Sequence, residues 1–323
     1  MRDRSLLIGS LTVALAASGF GLLGPVARFA YDAGLEPLSF VAWRAGFGTA
    51  IVALYAGWRI ARGRGFVAPW RLRPGEQASL AVIIATGVIL NVAMFYAFGL
   101  TTVALALLGF YTYPALVAVV AVARRHEALD AARIGALALA LGGMVLVVAG
   151  GLDPVSGVRV DPLGIGLALV AALAQVTFVT VSRSGYDSIP TEQAIGWILA
   201  ATAVICVALA LVTGGATALS APLRSTDALS LAVVAGVLGA GIPSVLFLTG
   251  IRSIGGTRTG ILMLIEPVVG VALAALLLAE AIRPIQVLGG VAILGAALLV
   301  QRSSPATRLS PANSPQFVGG VDQ

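Results

Sequence analysis

Lysine is absent from this chain, and cysteine and histidine occur once each, as Cys206 and His126. A single cysteine excludes an internal disulfide and any multi-cysteine metal site. The one histidine stands beside Arg124, Arg125 and Glu127 and reads as a solvated interface residue. There is no Gly-rich phosphate loop, no His/Cys cluster and no nucleophile elbow, so ATP hydrolysis, metal chemistry and a bound cofactor have no support. Charge is scarce too. Only 11% of the 323 residues are charged against 59% hydrophobic, and the mean hydropathy is +1.01. That balance excludes a water-soluble domain and implies a chain that crosses a membrane many times.

The formal charge of +6 comes from twenty arginines, most of them in short gaps between apolar runs. Membrane topology explains that placement better than a nucleic-acid partner does. The amino terminus begins like a signal peptide, but its apolar run continues to about Phe29, so it reads as the first membrane helix.

Ten spans are expected: Leu6 to Ala30, Leu38 to Trp58, Gln77 to Phe98, Thr101 to Val122, Ala131 to Ala149, Leu163 to Val181, Thr191 to Val212, Ala228 to Gly250, Thr257 to Ala279, and Ile285 to Val300. With the amino terminus inside, the inner loops collect fifteen arginines and the outer loops four, with Arg44 left within a span. This asymmetry supports ten spans with both termini cytoplasmic. The longest inner loop, Arg59 to Gly75, reads as an interfacial segment held by Trp70 and anionic membrane lipid. The tail 303–323, rich in Ser and Pro, has too little apolar content to build a core and is expected to be disordered.

The chain also repeats itself. SLAV occurs at Ser79–Val82 and Ser230–Val233; Arg28, Tyr31 and Asp32 recur as Arg183, Tyr186 and Asp187; Pro114 with Glu127 recurs as Pro267 with Glu280. These offsets, 151 to 155 residues, hold along the whole length. The expected architecture is therefore all-α, with residues 1–152 and 160–302 as two five-helix repeats. Five is odd, so the second copy is inserted upside down relative to the first.

Polar groups inside apolar spans are costly against lipid, so they are expected to face inward and cluster. They are Asn91, Tyr96, Tyr111, Thr112, Tyr113, Gln175, Thr177, Thr180, Ser244, Thr259 and Glu266. At about 1.5 Å per residue from Gly256, Glu266 lies about 15 Å deep, near the midplane of a core about 30 Å thick. Such a carboxyl could carry a proton between the two sides or hold a substrate ammonium; it could equally be a structural hydrogen-bonding group between helices. Tyr113 is its counterpart in the first repeat. Arg44 could clamp a substrate carboxylate, or snorkel outward to Asp32 or Glu36. Pro114 and Pro267 free the carbonyls of Phe110 and Met263, either to line a cavity or merely to kink the bundle. Gly142-Gly143 and Gly289-Gly290 are expected to let helices approach closely.

Two segments carry a resemblance, LGFYTYPALVAVVAVARRHEALDAARIGALALALGG and MLIEPVVGVALAALLLAEAIRPIQVLGGVAILGAAL, each a fourth helix with Pro, a closing Glu and a Gly-bearing fifth helix. With Arg44 in PLSFVAWRAG, they make the chain similar, from Leu6 to Val300, to the EamA branch of the drug/metabolite transporter superfamily. Many members have Trp-Gly in the first helix, where this chain reads Ala-Ser-Gly-Phe-Gly at Ala17 to Gly21. The resemblance implies ten helices around a central cavity, working by alternating access. It also implies a secondary transporter, an exporter of amino acids, nucleosides or drugs across the inner membrane. Arg44, Asn91, Tyr96, Tyr111, Tyr113, Gln175 and Glu266 are then the substrate-binding candidates, with Glu266 the candidate for proton coupling. A membrane-embedded enzyme or a receptor or scaffold is the alternative; whether the chain is a monomer or a dimer stays open.

Overall fold

The structure, a computed structural model, describes residues 2–124, 130–151, 160–278 and 281–302. Glu127, Glu280, His126 and the tail 303–323 lie outside the described residues, and so do the expectations placed on them. Among the described residues there is no strand. Among the described residues, nine helices are long and apolar enough to cross a membrane: α1 Ser5–Asp32, α2 Pro37–Ala61, α3 Pro74–Leu100, α4 Leu105–Ala123, α5 Ala131–Gly150, α6 Pro162–Ser182, α7 Thr191–Thr213, α8 Thr226–Ile254 and α9 Gly256–Leu278. A shorter apolar helix, α10 Pro284–Val300, completes the expected ten.

Local chemistry sets their starts. Proline occupies the first helical position of α2, α3 and α6, where the missing N–H costs nothing. Asp161 caps α6 by accepting from the amides of Leu163 and Gly164, and Asp130 caps α5 by accepting from Arg133.

The packing has the symmetry of an inverted duplication. Helices α2 and α7 pair, as do α5 and α10 and the middles of α4 and α9. The contact of α3 with α6 has its image in that of α8 with α1, and the contact of α4 with α6 in that of α9 with α1. Each is what exchanging α1–α5 with α6–α10 demands. The two SLAV segments fall near the starts of α3 and α8, and in both the leucine points inward while the final valine is exposed. The α7–α8 connection closes over α2 on one face, where the Trp43 indole donates to Leu219 O at 2.9 Å. On the face that carries the termini, the α2–α3 connection docks on α7: Gln193 accepts from Val67 N at 2.9 Å and donates to Gly65 O at 3.1 Å. Glu76 there accepts from Ser188 N at 3.0 Å.

Close helix approach rests on one glycine of each expected pair. A Cβ on Gly143 would lie 2.6 Å from Gly289 O, and one on Gly289 would strike Gly143 O in turn. Gly142 faces open space, and Gly290 meets only Val268 at 3.5 Å. A feature the sequence pattern does not announce lies in α8, where Val237–Gly241 forms a π-helical turn before Pro243. Leu23 of α1 fills the place a Cβ of Gly239 would take, and Ile51 of α2 does the same at Gly241, so the turn draws three helices together.

Candidate functional site

Helices α4 and α9 are not continuous. Helical bonding stops at Tyr111 and Thr112 in α4 and at Leu264 in α9, two to three residues before Pro114 and Pro267. A proline removes one backbone donor and crowds the preceding turn, so both helices reset there, with Leu264 N bonding Ile261 O three residues back. The halves cross at the break, where a Cβ on Gly260 would sit 3.3 Å from Pro114 Cβ.

The break gathers three of the expected residues. Tyr111 and Tyr113 are 1% exposed. The Tyr111 hydroxyl hydrogen-bonds the Glu266 carboxylate, and Tyr113 lies close enough to interact with it electrostatically. The Phe110 ring packs on both tyrosines, at 5.4 and 5.2 Å between centroids. Glu266 itself is only half-buried. A midplane carboxylate thus has one protein hydroxyl and an open side, which is an arrangement able to receive a cationic or hydrogen-donating solute.

Arg44 and Asn91 form a second group between α2 and α3. Arg44 Nη2 donates to Asn91 Oδ1 at 2.7 Å, and the Asn91 amide nitrogen is anchored on Gly87 O at 2.8 Å. Tyr31 and Cys206 are its electrostatic neighbours. The guanidinium turns inward to Asn91 and not outward to Asp32 or Glu36, which removes the snorkelling arrangement. Its Nε is buried and, among the described residues, makes no hydrogen bond.

Gln175 is half-buried, although it continues the stripe of Ala168, Ala171, Ala172, Val179 and Ser182, all buried, along α6. Nearby, Phe178 stacks on Phe247, which in turn meets the edge of Phe20. Phe20 belongs to the Ala17–Gly21 segment that departs from the family pattern, so an aromatic stands there after all.

Tyr96 is 41% exposed and, among the described residues, makes no polar contact with either group. The expected threonines do not converge either. Thr112, Thr177 and Thr259 donate to Gly109 O, Leu173 O and Gly255 O in their own helices, which satisfies the hydroxyl locally.

Sequence reasoning passed over one cluster altogether. Arg252, near the end of α8, donates to Ile189 O at 3.0 Å, Thr191 Oγ1 at 3.2 Å and Tyr186 O at 3.2 Å, and its guanidinium lies 4.9 Å above the Tyr186 ring. Tyr186 is fully buried, and its hydroxyl is 2.6 Å from Ser182 Oγ. Burial pushes its phenol up to about 12, against the opposing pull of Ser182 and Arg252. It therefore stays neutral at physiological pH and presents a π face to the cation. Two of the three acceptors are backbone carbonyls, which carry no sequence signal.

Comparison with known proteins agrees with this geometry. No curated protein matches the chain. A crystal structure of a protein 22% identical superposes with a TM-score of 0.76, covering 93% of this chain and 97% of the other, and at that identity it shows the fold alone. The sequence model of the EamA-like transporter family matches twice, over residues 7–149 and 162–302, once for each repeat. The chain is thus a multi-pass membrane protein that belongs to the EamA-like transporter family.

Proposed function

We propose that this chain is a secondary transporter that exports small polar or amphipathic metabolites across the cytoplasmic membrane by alternating access, with both termini in the cytoplasm. The observation that carries this reading is the half-buried Glu266, bonded to Tyr111 where two symmetry-related helices both break. Broken helices that meet at the midplane supply polar groups where lipid supplies none. In this reading Glu266, with Tyr111 and Tyr113, takes the amine or hydroxyl end of a substrate and relays a proton. Arg44, held by Asn91, takes a carboxylate or other acceptor with its guanidinium, and Gln175 contributes from α6.

Amino acids, nucleosides and cationic drugs are the classes to screen by ligand-induced thermal stabilisation of the purified protein. A ligand that raises Tm in the wild type and not in Glu266→Gln supports the site; no stabilisation by any class argues against it. Arg44→Lys is expected to weaken a carboxylate substrate about tenfold in half-saturating concentration, because an ammonium lacks the planar fork of donors that holds a carboxylate in fixed geometry. An unchanged value would leave Arg44 a structural cation.

The α2–α3 connection supports lipid as a partner on the same face. Trp58, Phe66 and Trp70 are 50, 54 and 70% exposed. Arg62 stacks 4.5 Å over the Trp58 ring. This pairs aromatic anchors with cations at the level of anionic headgroups.

A further inference from the structure

The two faces of the bundle are not equally closed. Every residue from Gly255 to Leu264, the half of α9 nearer the termini, is buried, whereas from Ile265 to Leu278 only Pro267 is. Inverted symmetry sets this half of α9 against the half of α4 on the opposite face. There, from Leu105 to Phe110, only Ala106 is buried. On the termini side α4, α6 and α9 converge: a Cβ on Gly256 would lie 2.9 Å from Val179 and 3.3 Å from Val117. The helices are thus closely packed between that face and Glu266.

The Arg252 cluster lies at this closely packed end. It ties the connection between α6 and α7 to α8, and that connection is tied in turn to the first turn of α3 through Ser188 and Glu76, with Arg59 3.9 Å from Glu192 beside it. Repeat symmetry provides a direct comparison. Tyr31 is the counterpart of Tyr186, yet Tyr31 is 38% exposed and Tyr186 is not exposed at all. The positions answering to Arg252 are 99–101, Gly-Leu-Thr, none of which is a cation. Arg44, the electrostatic neighbour of Tyr31, donates to Asn91 instead of to the connection that Tyr31 begins.

We propose that Arg252 is the latch of the gate on the termini face. Its bonds to Tyr186, Ile189 and Thr191 hold that face shut and have to break before Glu266 becomes accessible from it. The proposal rests on the alternating-access reading and assigns the residue that biases the equilibrium toward the state open on the opposite face. Charge-assisted hydrogen bonds are the stronger kind, and three made by one side chain can dominate a two-state balance.

The test uses two cysteine reporters in full-length protein in lipid nanodiscs, with Cys206 replaced by Ser. Thr257→Cys, at a site 1% exposed beside the convergence, reports the termini side. Val271→Cys, at a half-buried site beyond Glu266, reports the other. The probe is a charged, water-soluble methanethiosulfonate. Arg252→Gln is expected to raise the reactivity of the termini-side reporter at least about tenfold and to lower that of the reporter beyond Glu266. Thr191→Val, which removes one acceptor, is expected to move both the same way by about two- to threefold.

Unchanged reactivity in a monodisperse Arg252→Gln protein overturns the latch. A rise at both reporters also overturns it, since that is general loosening. If Arg252→Gln does not assemble, Thr191→Val decides by the same criteria. No substrate is needed, so a wrong substrate class leaves the result untouched. Working counterflow with unmoved reporters removes the latch and leaves the transport reading standing.

Discussion

Replacing Glu266 by Gln is expected to abolish transport while the protein still inserts, stays monodisperse and melts within a few degrees of the wild type. Gln has nearly the same volume, and its side-chain oxygen still accepts from the Tyr111 hydroxyl, so the bond across the α4–α9 crossing survives. What is lost is the negative charge and the ability to carry a proton, at the depth where no other carboxyl is found in the described spans. For a solute held by a charge-assisted hydrogen bond, that change is expected to reduce the initial rate by about a hundredfold or more. If Glu266→Gln transports as well as the wild type, with the same dependence on pH, Glu266 is a structural hydrogen-bonding group and the proton relay is removed. Tyr111→Phe is the companion variant. It leaves the carboxyl in place without its one protein hydroxyl, and is expected to change the pH profile more than the maximal rate.

The largest expected effect on assembly lies away from this site, at Gly289. A Cβ there would strike Gly143 O and come within 2.8 Å of Val147 N and 2.9 Å of Leu146 Cβ, and the two backbone atoms cannot rotate aside. Gly289→Ala is expected to lower Tm by about 3 to 8 °C, as overpacking of a close helix contact does, and Gly289→Val to prevent folded protein from accumulating. Gly142→Ala, facing open space on the same helix as Gly143, is the matched control and is expected to be neutral. Equal stability of Gly289→Ala and wild type would mean that α5 and α10 separate freely. Their pairing would then not be the fixed scaffold against which the other helices move.

Much of this fold was legible in the sequence because a bilayer enforces simple rules. Apolar runs of about twenty residues mark spans, and the ten runs recur as helices with ends displaced by a few residues. The repeat was legible because inverted copies keep the same residues at the same depth, as Ser79–Val82 and Ser230–Val233 do near the starts of α3 and α8. Glu266 stood out because a midplane carboxylate is expensive. The rest depended on geometry that no local pattern encodes. Whether a threonine faces a cavity or bonds its own helix depends on a rotamer, and Thr112, Thr177 and Thr259 take the second course. Which glycine of a Gly-Gly pair faces a neighbour depends on helix rotation, which selects Gly143 and Gly289. Arg252 read as one more arginine on the positive side, since carbonyl acceptors more than sixty residues away leave no mark in composition. The π turn at Val237–Gly241 shows only as a glycine-rich stretch before a proline.

Counterflow in proteoliposomes tests transport itself most directly. Vesicles loaded with a high concentration of one unlabelled amino acid, nucleoside or cationic drug are diluted into trace labelled solute of the same kind. For at least one class, wild-type vesicles are predicted to accumulate label transiently above equilibrium, and Glu266→Gln vesicles to behave like protein-free liposomes. If no class gives wild-type accumulation above the protein-free control, in vesicles shown to contain folded protein, that result contradicts a transporter of small metabolites whose path runs past Glu266.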